Sequence, residues 1–389
     1  MSPAIFNNRE ISQASPTGGG LEGAGAVFCF GEMMFRISPS LNRQWINQAS
    51  VPLYLAGAEL NVASALAKWN LPVKYCSALP DNYLSHEIID ELKEKNIDTS
   101  AIQLSGKRIG VYYLPEGADL KNAGVIYDRD HSSFSELKTG MIDWDNVLKD
   151  CRWFHFSAIV PALNENLVDL CKEGLEVARN KGLTISVDLN YRAKLWKYGQ
   201  QPVDVMPELV KYCDVVMGNI WSAENLLGIS SSIKDSKGKT KEELLEAAKK
   251  SMKQVHITYP GISSIAYTFR LEEIYFGVLQ HGPKLVISNE FPLQNIIDKV
   301  GSGDCFMGGL IYGLYHDHEP QQVVNFAAAA AFGKLNEKGD ATNQSVSDIN
   351  SLLNESFLTA ETQRNLNLSE IPTRLRASAV IFFVKYKSL

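Results

Sequence analysis

Two carboxylates bracket a run of small residues late in the chain, Asp298-Lys299-Val300-Gly301-Ser302-Gly303-Asp304, which continues into the apolar Cys305-Phe306-Met307-Gly308-Gly309. Gly301, Ser302 and Gly303 carry little or no side chain, so their backbone N–H groups can converge on one point. The run follows the strand-like Asn295-Ile296-Ile297 and opens an apolar helix, whose start adds partial positive charge. A corner of this kind binds anions, and a phosphate in transfer suits it. Asp304 falls in the first helical turn, beside that anion, where its charge repels phosphate. Taking the proton from an attacking hydroxyl would account for an acid in such a place. Read alone, the same run also describes a glycine-rich helix start in which Asp304 serves only the helix. The rest of the chain has to decide.

Other phosphate chemistries are missing. There is no Gly-x-x-x-x-Gly-Lys-Ser/Thr loop and no His-Arg-Asp set. Gly18-Gly19-Gly20-Leu21-Glu22-Gly23 fits the spacing G-x-G-x-x-G, but it precedes the first strand instead of following one. It is read as part of a flexible leader, not as a dinucleotide loop.

The elements that must position Asp304 alternate in type. Val27–Phe30, Val73–Ala78, Trp153–Phe156, Leu183–Asp188 and Asp214–Gly218 read as strands. Asn61–Trp69, His86–Lys95, Leu163–Lys181 and Val203–Tyr212 read as helices. This order predicts right-handed βαβ units and a parallel sheet, with ligands bound beyond the carboxyl ends of its strands. Gly110–Leu114 and Val125–Asp128 are short, aromatic and β-branched, and predict a small antiparallel piece. Ser230–Lys241 reads as a polar loop. Strands are expected at Ile265–Phe269, Ile274–Leu279 and Leu285–Ile287, and helices at Cys305–Tyr315, Gln321–Leu335 and Val346–Leu353.

Composition narrows the class. The 389 residues are 45% hydrophobic and 21% charged, with a net charge of −6. Such a chain can bury a sizeable core, and it has no Lys/Arg-rich run of the kind that marks a nucleic-acid binder. The six cysteines lack Cys-x-x-Cys spacing, and His316 and His318 stand without further ligands, so reduced core thiols and a solvated helix end are expected. No apolar run reaches membrane-spanning length, and the N-terminus lacks a secretory pattern. The cytoplasm is the expected compartment.

With those elements in place, Asp298-x-x-Gly301-Ser302-Gly303-Asp304 resembles the signature of ribokinase-like sugar kinases. Ala56-Gly57-Ala58-Glu59-Leu60-Asn61-Val62-Ala63 resembles a second signature of that family, in the expected order. The resemblance covers roughly residues 28 to 353. It implies an α/β fold: a three-layer α/β/α sandwich with a mostly parallel central sheet and a small β-sheet lid. The expected organisation is a leader over 1–25, a kinase domain over 26–357 with lid strands from about 34–56 and 108–130, and a tail over 358–389 that the resemblance does not reach. Gly31-Glu32-Met33-Met34, Tyr112-Tyr113-Leu114, Ile126-Tyr127-Asp128-Arg129, Trp153-Phe154-His155-Phe156 and Asp188-Leu189-Asn190-Tyr191-Arg192 are similar to the 2-keto-3-deoxygluconate kinases.

That likeness implies transfer of a phosphoryl group from ATP to the terminal 6-hydroxyl of a keto-deoxy sugar acid. Mg²⁺ would assist, a monovalent cation could be a further cofactor, and a homo-oligomer could form through the lid. Asp304 would be the base, with Gly301, Ser302 and Gly303 as the amide cradle. Gly57 and Asn61 would hold substrate hydroxyls, and Tyr112 and Tyr127 would line the sugar-acid pocket. Arg129 and Arg192 each follow a strand, and arginine binds a carboxylate bidentately. Taken singly, each also suits a salt bridge, and the two tyrosines also suit strand-face packing. Asn219 would face the nucleotide phosphates, and Asn325 matches an adenosine-contacting position, with a helix-packing hydrogen bond as its alternative. No residue is assigned to a metal. The chain departs from the family at Ser222, where an acid usually stands three residues after the Asn, and at Ala56, Cys305 and a shortened loop after Thr268-Phe269-Arg270. A kinase of neutral sugars or nucleosides, or a catalytically weak sugar-acid or nucleotide-binding protein, remains an alternative.

Overall fold

The computed structural model describes residues 25–40, 45–116, 124–294 and 296–365, with side chains through 355. The leader, apart from residue 25, and residues 366–389 of the tail lie outside the described residues. The expected domain end near 357 falls inside the helix Val346–Asn365.

A ten-stranded sheet forms the middle layer. Its order runs Lys284–Ile287, Ile274–His281, Ser264–Arg270, Val215–Gly218, Thr184–Asp188, Cys151–Ser157, Ala26–Phe30, Val73–Cys76, Ile97–Asp98, and Phe291–Pro292 pairs beside Ile274–His281. From Ser264–Arg270 to Ile97–Asp98 every pairing is parallel; the other edge is antiparallel. The strands are apolar on both faces because helices cover both. Phe28, Phe154 and Val187 pack toward Glu165–Asn180, Pro202–Val210, Ile220–Leu227 and Lys241–Thr258. Val27, Cys29 and Trp153 pack toward Ala58–Lys68, Tyr83–Glu94, Ser302–Tyr315 and Pro320–Lys334. All six cysteines are free, and five are buried. Among the described residues no helix is long and apolar enough to cross a membrane.

A second sheet of four strands forms the lid, in the order Leu53–Ala56, Met34–Ile37, Gly110–Tyr113, Ile126–Asp128. Its last two strands are the antiparallel pair expected from sequence, with Tyr112 opposite Tyr127. The strand expected at 295–297 is absent at Ile296 and Ile297; Asn295 lies outside the described residues. The N–H groups of Ile297 and Asp298 donate to the Leu335 carbonyl at 2.8 and 3.3 Å, so this segment hooks onto a helix end instead of joining the sheet.

Candidate active site

A cavity of about 800 Å³ opens between the carboxyl ends of the parallel strands and the lid. Asp188, Gly218 and Arg270 reach it from strand ends, and Tyr112 and Tyr127 from the lid. Asp304 reaches it from the first turn of Ser302–Tyr315.

The expected glycine turn into a helix forms at Gly301. Gly301 caps the helix with φ 79°, in the left-handed region, and a methyl group on it would sit 1.9 Å from the Asp340 carbonyl oxygen. Only glycine fits both demands. Nothing lies within 4 Å of where a Cβ on Gly303 would stand, so the cradle is open to a ligand there. Gly57 has φ 153°, and a methyl on it would meet the Glu32 carbonyl at 2.5 Å.

Asn61 Nδ2 donates to Asp304 Oδ2 at 2.6 Å. This contact fixes one oxygen of a carboxylate that is only 8% exposed. Burial raises the Asp304 pKa to about 6, while Asn61 and the charge of Arg192 work against the shift. Asn61 is therefore a partner of Asp304 as well as a cavity residue. With a pKa of about 6, Asp304 stays mostly ionised at neutral pH.

The remaining expected residues divide. Tyr112 and Tyr127 line the cavity, their rings 6.2 Å apart. Arg192 lines it and donates Nη1 to the Tyr191 carbonyl at 3.1 Å. Arg129 lines it too, but its guanidinium is already engaged. Nε donates to Glu32 Oε2 at 2.7 Å, Nη2 bonds the same oxygen, and both side chains are buried. The exposed salt bridge considered from sequence is thus a buried one, and only the Nη1 side of Arg129 is left for a ligand.

Asn219 lines the cavity, yet its Oδ1 accepts from the Trp221 and Ser222 N–H groups at 3.1 and 2.9 Å. Ser222 completes a capping box by accepting from the Asn219 N–H at 2.8 Å. The departure at Ser222 therefore preserves the helix start, with a hydroxyl doing the capping.

Asn325 stands apart from the cavity residues. It does not line the cavity: its Oδ1 accepts from the Asn289 N–H at 3.0 Å and from Gln321 Nε2 at 3.1 Å. Both bonds engage Oδ1, and the one from Asn289 joins the helix to the adjacent loop, as the packing alternative describes; neither uses Nδ2.

Several site residues escaped the sequence reading. Arg270 Nη2 donates to Ser302 Oγ at 3.0 Å, which places a cation at the anion-binding corner. Its signal was an arginine at a strand end that faces the cavity. Arg36 pairs with Asp298 through Nη2 and with Asp340 through Nε, each at 2.8 Å. Tyr112 donates its hydroxyl to Asp340 Oδ2 at 2.8 Å. The lid is thus tied to both ends of the segment that carries the cradle. Nothing in local sequence marks these partners, which lie more than 200 residues apart along the chain.

Glu59 is 1% exposed, and its Oε1 accepts from the Ser157 N–H at 2.9 Å. Burial lifts its pKa to about 7. A carboxyl whose folded pKa exceeds its unfolded value adds stability fully at pH below the unfolded value. That contribution is lost as pH rises through the folded one. Glu59→Gln should therefore gain thermal stability over the parent at pH 8 and much less at pH 5. The rise from the ordinary 4.5 to about 7 sets the difference at about 3 kcal/mol. Unfolding midpoints of both proteins across that range check it, and a constant difference would refute it.

Comparison with known proteins bears on this site. The family model for pfkB family carbohydrate kinases matches residues 25–346. A 2-dehydro-3-deoxygalactonokinase of Haloferax volcanii is 27% identical over 322 residues, covering 80% of this chain and 91% of its own. A 2-dehydro-3-deoxygluconokinase of Bacillus subtilis is 28% identical over 292 residues, covering 74% and 82%. The crystal structure of a Thermotoga maritima 2-dehydro-3-deoxygluconokinase superposes with a TM-score of 0.76 at 34% identity, covering 85% of this chain and 99% of that one.

Proposed function

This chain belongs to the pfkB family of carbohydrate kinases, and from that premise we propose that it transfers the γ-phosphoryl group of ATP to the terminal hydroxyl of a 2-keto-3-deoxy sugar acid. On the gluconate substrate the products would be the 6-phosphate and ADP. The observation that carries the reading is Asp304, held by Asn61 beside an amide corner, at the floor of a cavity that also receives Arg192.

The steps follow from these residues. The substrate hydroxyl lies against Asp304, which takes its proton as the oxygen attacks the γ-phosphorus. The amides of Gly301, Ser302 and Gly303 and the Arg270 guanidinium receive the charge of the moving phosphoryl group. Positioning and electrostatics supply most of the rate in such a transfer. Arg192 selects an acidic substrate, and Tyr112 and Tyr127 bound its carbon chain. Among the described residues no cluster of His, Cys, Asp or Glu could hold a metal. A magnesium ion arriving with the nucleotide would offset phosphate charge.

A coupled ADP-release assay tests the reading. The panel is 2-keto-3-deoxygluconate, its galactonate epimer, fructose, ribose and adenosine. A keto-deoxy sugar acid should give the highest kcat/KM; a win by a neutral sugar or adenosine would overturn the substrate. Arg192→Gln should cut kcat/KM for the sugar acid by roughly 10- to 100-fold, the worth of one charge-assisted contact, and change neutral sugars little.

A further inference from the structure

Lys334 ends the helix Pro320–Lys334 and is fully buried. Its Nζ donates to the Glu337 carbonyl at 3.2 Å. It makes no direct ion pair among the described residues. A buried ammonium without a carboxylate in contact is costly. The helix C-terminus offsets part of that cost and does not explain the location.

The location is the back of the anion-binding corner. Lys334 Cε would be 3.3 Å from a methyl group on Gly301. On that same side lie Asp298 and Asp340, bridged by the single cation Arg36. Asp298 and Asp340, the latter also lining the cavity, share that one arginine, and Glu337 adds a further acid near Lys334, so the acids outnumber Arg36 around amides that must attract a phosphate. Burial lowers the Lys334 pKa, and Asp298, Glu337 and Asp340 favour its charged form. Lys334 does not line the cavity, so it acts on a ligand only through the corner.

We propose that Lys334 is a built-in counter-cation of the Gly301–Gly303 corner, cancelling the charge of Asp298 and Asp340 so that the amides hold a nucleotide phosphate. It is a positioning residue, and the proposal rests on the kinase reading.

The test uses Lys334→Met and Lys334→Gln in the full chain. Calorimetric binding of Mg·ADP, sugar-acid KM, kcat and the thermal midpoint are read. ADP affinity should fall roughly tenfold or more, and kcat should fall with it, while sugar-acid KM stays near the parent value. Both variants should lower the midpoint modestly, because the buried acid charge that Lys334 offsets is left uncompensated. Ammonium ion, small enough for the vacated space, should restore part of the ADP affinity. Unchanged ADP affinity in both variants overturns the proposal. So does an equal loss of ADP and sugar-acid binding, or failure of both variants to fold; each would make Lys334 structural. A parent that binds ADP but phosphorylates no sugar sinks the kinase reading and leaves the ADP comparison decisive. A parent that binds no ADP sinks both.

Discussion

Asp304→Asn should lower kcat by roughly 10²- to 10⁴-fold, the usual worth of a positioned general base. The amide keeps the shape and can still meet Asn61, which holds the native carboxylate at 2.6 Å. Nucleotide affinity should hold or improve, since a negative charge leaves the neighbourhood of the phosphates. The parent enzyme adds an independent check. Burial raises the Asp304 pKa to about 6, and proton abstraction needs the ionised form. Activity should therefore fall as pH drops through about 6, and Asp304→Asn should lose that limb. A variant that keeps a tenth or more of the parent turnover would mean that another group takes the proton.

Gly301→Ala should be nearly as damaging, by a different route. The residue sits at φ 79°, and the added methyl would stand 1.9 Å from the Asp340 carbonyl. Left-handed strain alone costs on the order of 1–3 kcal/mol. Relief of the clash must push residue 340 away, and Asp340 anchors Arg36 and Tyr112 of the lid. The expected result is a lowered unfolding midpoint together with a loss of kcat/KM on the order of 100-fold or more, as the cradle amides lose their aim. Gly303→Ala is the contrast. Its methyl would meet nothing within 4 Å, so the variant should fold as the parent does and lose only nucleotide affinity. Equal midpoints for the two alanine variants would refute the assignment of Gly301 as the strained position.

The two signatures and the strand–helix alternation were legible because each is local. Gly301 to Asp304 announces a corner within four residues, and the apolar strands announce a covered sheet. The helix Lys241–Thr258 went unassigned, although Thr240 and Glu243 form a capping box and Leu244, Ala248, Ser251, Met252 and Val255 repeat at helical spacing. The expected polar loop ended at Lys241, and nothing was assigned to the segment that follows it. Asn325 was visible as a polar residue on an apolar helix, but the Asn289 N–H that donates to its Oδ1 lies 36 residues away and has no local signal. Arg129 was visible as a cation, but Glu32, nearly 100 residues earlier, decides how much of that charge remains available. The pairings of Arg36 and Tyr112 belong to tertiary structure alone.

The contact between Asn61 and Asp304 spans 243 residues, and that between Arg36 and Asp298 spans 262. During synthesis on the ribosome, the first of each pair emerges long before the second. A half-made polypeptide lacks Asp304 and the Gly301–Gly303 turn, so on the proposed mechanism it cannot squander ATP while still attached. Competence should arrive abruptly, once the segment through Asp340 has cleared the exit tunnel and docked beneath strands made much earlier.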